Sequence, residues 1–354
     1  MGLRALTGLA VLSASVVAVP AAGLASAQDD DPRVLVGQRL VVSMGGATPS
    51  PGLLGRVRRG EVGGVILFGG NITGRVQLRS LTAALQAAAR SGGRPPLLVA
   101  VDQEGGDIRR LPWAGPSEPA AVLGRSTPVA LRGAAKAAGR ALRAAGVNLN
   151  LAPIADVPVA GSFMAAEQRT FSADPARVGA MVAAFVEGLA DARVAATVKH
   201  FPGIGRATRS TDSAAVTIAA PLTALERDVA PFRRAVAAGV PAVMLSNAAY
   251  SAYGTVPAAW STRIQTLLRR ELGFRGVTIT DALEPAAATR GRALPSAAVL
   301  AVRAGVDLIL LTGSEASSEA VYRRLLERVS DGTISAASLR RSYDRVLTVK
   351  QRLG

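Results

Sequence analysis

The chain contains no cysteine and a single histidine, His200. The first absence excludes a disulfide framework, a thiolate metal site and a sulfur-linked lipid anchor. Together the two leave too few ligands for a zinc site, and neither metal nor cofactor is expected. Aromatic residues make up only 4% of the sequence, too few for the base-stacking platforms of a nucleic-acid binder. Lysine is scarce as well, occurring only as Lys136, Lys199 and Lys350, so the formal net charge of +16 is almost entirely arginine. Clustered basic charge suits nucleic acid or an acidic surface. Here it is scattered along a chain rich in Ala, Gly and Val, and no nucleic-acid partner is expected.

What is present suits a folded, exported protein. With 354 residues, 49% of them hydrophobic, the chain is long enough for one large domain or two modest ones. Its start, "MGLRALTGLAVLSASVVAVPAAGLASAQDDD", reads as a secretory signal. Arg4 supplies the positive end, Ala5 to Val19 the apolar stretch, and Ala25 to Ala27 a small-residue cleavage site before Gln28. Residues 1–27 are therefore expected to be removed, with an uncleaved anchor as the alternative. The mature protein is expected to be secreted or held in the cell envelope, without membrane attachment after cleavage.

Eight short apolar runs follow, at 40–46, 63–70, 97–104, 147–157, 195–201, 241–247, 276–282 and 306–312. They are bounded by Gly, Pro or charge and read as strands. Amphipathic stretches such as "QLRSLTAALQAAARS" and "STRIQTLLRRELG" lie between them and read as helices. Strands and helices alternating eight times predict an α/β fold of the (β/α)8 TIM-barrel type. A doubly wound open sheet is the alternative. The last segment, "SAASLRRSYDRVLTVKQRLG", predicts a C-terminal helix, and a single domain is expected over 34–354.

In such a barrel the chemistry sits at the C-terminal ends of strands. Asp102, Gln103 and Glu104 close the third run, Asp156 the fourth, and Lys199 and His200 the fifth. Ser246 and Asn247 close the sixth and Asp281 the seventh. Polar groups at five successive strand ends outline a pocket for a polyhydroxylated ligand. Each has a structural alternative: Asp102 as a turn cap, Asp156 as a scaffold residue, His200 as a core histidine, Asp281 as a helix N-cap.

Six stretches then occur in order: "GGVILFGGNI", "AVDQEGG", "NLNLAPIADV", "KHFPG", "DVAPFRRAV" and "GVTITDAL". Together they resemble the N-terminal barrel domain of family-3 glycoside hydrolases, in particular the single-domain bacterial β-N-acetylhexosaminidases. The resemblance implies retaining hydrolysis of β-linked N-acetylglucosamine or a similar sugar. It implies Asp281 as nucleophile, and Asp102, Arg169, Lys199 and His200 as sugar-binding residues. In that branch a loop after "KHFPG" carries an Asp-Ser-His tripeptide whose histidine protonates the leaving oxygen. The matching residues here are Asp212, Ser213 and Ala214, so the histidine is missing.

Other departures lie close by. Ile204 and Arg206 stand where the family has histidine and aspartate, Asp107 where it has arginine, and Asn247 where it often has histidine. Weak or altered activity is therefore expected, with Asp212 or Glu167 as the remaining candidates for proton transfer. The competing expectation is a non-catalytic protein that grips a glycan, cell-wall peptidoglycan being one source. Arg206 and Arg209 would then attract an anionic glycan or phosphate, or simply form a solvated loop face.

Overall fold

The computed structural model describes residues 1–2 and 30–353. The expected signal segment, residues 1–27, lies outside the described residues save for its first two. Eight parallel strands run β1 (Leu40–Val42), β2 (Gly64–Ile66), β3 (Leu98–Val101), β4 (Leu149–Asn150), β5 (Ala195–Phe201), β6 (Ala242–Leu245), β7 (Val277–Thr280) and β8 (Ile309–Leu311). They pair in the order β7-β6-β5-β4-β3-β2-β1-β8. A parallel bridge between Ile279 and Leu308 joins the two ends of that order. The sheet therefore closes on itself, and the open-sheet alternative is excluded.

The period-2 alternation of a strand explains why these runs are mostly apolar on both faces. Val41, Leu98, Ala100, Ala242, Met244, Val277, Ile279 and Leu310 belong to one buried cluster inside the barrel. Their strand neighbours Leu40, Val42, Val99, Val101, Val243 and Leu245 belong to another, beneath the helices. A strand covered on both faces can expose no polar side chain to water.

Most strands are shorter than their apolar runs. Strand β3 ends at Val101, inside its run of 97–104, and Gln103–Gly105 turns back to pair with Ile108–Arg109. The surplus residues leave the ladder as loops that hold Asp102, Glu104 and Asp281, while Lys199 and His200 stay in β5.

The helices follow the expected signals. Thr127 caps Pro128–Ala144 and Asp174 caps Pro175–Asp191, each with proline in the first turn. The predicted C-terminal helix, Ala336–Leu353, plugs the barrel's N-terminal end. Its Val346, Val349 and Leu353 join the interior cluster. Among the described residues, no helix is long and apolar enough to cross a membrane.

The same helix buries Lys350, which is 1% exposed and whose Nζ donates to Gln38 Oε1 at 2.6 Å. Burial without a carboxylate partner pushes its pKa from 10.5 down to about 7. In the unfolded chain the group keeps its ordinary value, so folding is penalised wherever that chain would be charged. The penalty is full below about pH 7 and fades as pH rises toward 10.5. Replacing Lys350 by Met is expected to raise unfolding free energy by roughly 1–3 kcal/mol near pH 6, partly offset by the lost hydrogen bond. Urea denaturation at pH 6 and pH 9.5 checks this. An equal gain at both would show that burial does not neutralise Lys350.

Candidate active site

The C-terminal ends of β3, β5 and β7 surround a cavity of about 330 Å³. Its floor is the top layer of the barrel interior: Ile66, Leu151, Met244 and Leu310. All six site residues expected from the sequence line it: Asp102, Arg169, Lys199, His200, Asp212 and Asp281.

Lys199 is 3% exposed, and its ammonium lies 2.8 Å from Asp102 Oδ1 and 2.7 Å from Glu104 Oε1. Burial works against its charge, but the two carboxylates outweigh it and Lys199 titrates above its usual value. Glu104 also accepts from Arg169, at 2.9 and 3.0 Å. Burial alone would raise the Glu104 pKa. Lys199 and Arg169 overcome that and hold it at about 2.

Strand alternation sorts the "DQE" triplet. Asp102 and Glu104 face the cavity. Gln103 points the other way and fastens the next loop through Leu111 O and Ala114 O, at 3.0 and 2.7 Å. The sequence reading placed Glu104 at a strand end but gave it no role. The signal that could have found it was that same two-residue period.

His200 adjoins Lys199 through a cis peptide. Its Nδ1 lies 2.8 Å from Asp156 Oδ2. Asp156 is fully buried, and its other oxygen accepts from the Ile204 amide at 2.7 Å. Asp156 is thus a scaffold residue that also sets the ring of His200. His200 itself is buried and still borders the cavity, so it is more than core filling. Asp281 caps no helix: its Oδ1 accepts from Ala282 N at 2.8 Å, and the next helix begins at Ala286.

Several sequence expectations need correction. Ser246 and Asn247 do not line the cavity. Ser246 Oγ pairs with the Tyr250 hydroxyl at 2.9 Å. Asn247 Nδ2 donates to Ala282 O at 2.7 Å and so fixes the segment carrying Asp281. Arg206 does not face the cavity either. It is bound to Asp228 at 2.6 and 3.2 Å, and neither it nor the exposed Arg209 lines the cavity. Glu167 is held by Arg169 at 3.0 Å and also lies outside the wall that carries Asp281.

Asp212 stands in the turn Ser210–Ala214, where the Ala214 amide donates to Ser210 O at 3.1 Å. The Ala214 side chain is buried and outside the cavity wall. Asp212 is exposed at the rim, yet its pKa is raised, first by the protein mass around it and then by Asp281. Solvent at the rim screens part of this effect.

Replacing Glu104 by Gln leaves a buried cation short of a partner. It is expected to cost about 3 kcal/mol of stability near pH 7. A carboxylate with a depressed pKa contributes its full share above pH 4.5, lost as pH falls toward about 2. Denaturation curves of parent and variant should therefore converge at low pH. A constant difference across that range would disprove the pairing.

Comparison with known proteins agrees with this geometry. The profile of the Glycosyl hydrolase family 3 N terminal domain matches residues 40–349. An uncharacterized secreted glycosyl hydrolase of Arthroderma benhamiae is 34% identical over 97% of this chain and 99% of its own. A beta-hexosaminidase of Stenotrophomonas maltophilia is 35% identical over 74% of this chain and 79% of its own. Among solved structures, a family 3 beta-N-acetylglucosaminidase from Paenibacillus superposes with a TM-score of 0.88 at 35% identity. That match covers 91% of this chain, which spans 62% of the Paenibacillus protein. By profile, by identity over nearly its whole length and by its closed barrel, the chain belongs to glycosyl hydrolase family 3.

Proposed function

We propose that the chain is an exported, retaining glycosidase acting on β-linked N-acetylglucosamine or a closely similar amino sugar. Asp281 is the nucleophile and Asp212 the proton donor. The observation that carries this reading is that both carboxylates border one cavity, in which burial and the neighbouring Asp281 raise the pKa of Asp212. A retaining mechanism needs a carboxyl that can keep a proton to give beside one that attacks. The family names of the relatives support the sugar class, and the secreted relative and the sequence start support export.

The steps follow from the groups present. The Asp281 carboxylate attacks the anomeric carbon while the glycosidic C–O bond breaks, and Asp212 gives its proton to the departing oxygen. A glycosyl ester of Asp281 results. Asp212, now a carboxylate, takes a proton from water. That water attacks the same carbon, the ester bond breaks, and the configuration is retained. Asp102, Lys199, His200 and Arg169 would hold the ring hydroxyls. Their mutual ion pairs keep those donors and acceptors in place before substrate arrives.

The missing loop histidine does not leave the site without an acid under this reading. Asp212 replaces a relay by direct transfer. With the loop as it stands, a side chain at position 214 points away from the cavity, so Ala214→His is not expected to restore a relay.

The test is hydrolysis of an aryl β-N-acetylglucosaminide and of the β-linked N-acetylglucosamine disaccharide. Asp281→Ala should abolish both. Asp212→Asn should slow the disaccharide by about 10²–10⁴-fold, and an aryl glycoside with an acidic phenol far less. Activity should decline as pH rises through the raised pKa of Asp212, above the ordinary carboxylate value of 3.8. Asp212→Asn should remove that alkaline limb. Sugar binding by calorimetry without any aryl-glycoside turnover would instead identify a glycan-binding protein.

A further inference from the structure

A second cavity, of about 660 Å³, adjoins the first and has twice its volume. The two share Glu104, Ile108, Arg169, Ser210 and Asp212 in their walls. Asp212 therefore borders both spaces. A glycosidic bond lying against Asp212 would have one sugar beside Asp281 and the next sugar in the second cavity.

A few side chains decide the charge of that second space. Glu104, Asp107, Glu167 and Asp212 line it, against Arg169 as the one cation in its wall among the described residues. Arg169 is already engaged, by Glu104 at 2.9 and 3.0 Å and by Glu167 at 3.0 Å. Asp107 is exposed and, among the described residues, has no hydrogen bond or ion pair. It follows Gly105 and Gly106, whose φ angles are +114° and +56°. A Cβ at Gly105 would lie 2.3 Å from Glu118 O, so the turn that presents Asp107 admits only glycine there.

We infer that the second cavity receives the leaving-group sugar, and that Asp107 selects a sugar bearing a free amine over one bearing a carboxylate. This rests on the glycosidase reading above. The overall charge of +16 would draw an anionic glycan from afar. Screening confines that field to about 8 Å in physiological salt. Inside the cavity the nearer charges decide, and there a carboxylate meets Asp107 and Glu167 as like charges. A sugar ammonium meets them as partners, forming charge-assisted hydrogen bonds. A lactyl-bearing sugar of the peptidoglycan kind is therefore disfavoured in this position, whatever occupies the first cavity.

Three disaccharides test this. All carry a non-reducing β-linked N-acetylglucosamine. The second sugar is glucosamine with a free amine, N-acetylglucosamine, or an N-acetylhexosamine with a lactyl carboxylate. At a pH below the amine's pKa, kcat/KM of the parent is expected to fall in that order. About tenfold should separate the first from the last, which differ by two units of charge, each interacting weakly in a partly solvated groove. The gap should narrow in 1 M salt, where screening acts within about 3 Å.

Asp107→Asn should narrow the gap and Asp107→Arg should reverse the order. Ratios are compared within each protein, so a general loss of activity or folding cancels. Ratios unchanged in both variants, or a parent that cleaves all three alike, would overturn the inference while the glycosidase reading stands. If no β-glycoside is cleaved, the glycosidase reading fails instead. Calorimetric affinities for the same three sugars then decide the cavity. A preference for the amine that Asp107→Asn removes upholds charge selection there, and equal affinities end it.

Discussion

Lys199 is an ammonium group taken almost wholly out of water, and it stays charged because Asp102 and Glu104 lie 2.8 and 2.7 Å away. An unpaired ammonium in that place would shed its proton or unfold the site. The pairing ties the end of β5 to the end of β3, and Glu104 passes the tie on to Arg169. A strand end and two loops are thus held together by one alternating row of charges. A polyhydroxylated ligand needs such fixed donors and acceptors, because each must be in place before its hydroxyl loses water. The ion pairs are more than a contribution to stability, since they set the shape into which a ring can fit.

The loop after β5 obeys a related logic. Arg206 is clamped on Asp228, Ile204 is packed in the core with its amide on Asp156, and Gly205 fits against the Val157 carbonyl, where a Cβ would come within 2.0 Å. The two residues that depart from the resembled motif, Ile204 and Arg206, are therefore the ones that anchor the loop. The base of the loop that carries Asp212 is thereby pinned, as direct proton transfer by Asp212 under the proposed mechanism would need.

The barrel was legible because a strand covered on both faces must be apolar on both, which marks eight runs in a chain with few other long apolar stretches. The cavity was legible because buried strand ends do not carry Lys, His and Asp without a use. The direction of each side chain was harder to read. Gln103 and Glu104 are adjacent and equally polar, yet one fastens a loop and the other holds two cations. Asn247 and Ser246 sit at a strand end like the others and still face away from the cavity. Strand ends curl out of register where the ladder stops, so the period-2 rule loses its phase there. Arg206 escaped because its partner Asp228 lies in a helix 22 residues away, a pairing that no local pattern encodes. Lys350 escaped for the opposite reason: a lysine followed by Gln351 and Arg352 on the last helix reads as surface until the barrel is seen to close over it.

Net charge misleads in the same way. The chain carries +16, yet the first cavity sets four carboxylates, Asp102, Glu104, Asp212 and Asp281, against Arg110, Arg169 and Lys199. The second is more acidic still. Retaining glycoside cleavage builds positive charge on the sugar ring as the bond to the leaving oxygen breaks. A wall richer in carboxylates than in cations stabilises that charge where it forms, while the cations already engaged by carboxylates stay out of its way. The basic exterior has no bearing on this step, because its field is screened within a Debye length. Under the proposed mechanism, acidity concentrated at the strand ends, and bound there by a few internal cations, sets the surroundings in which Asp281 would attack and Asp212 would give its proton.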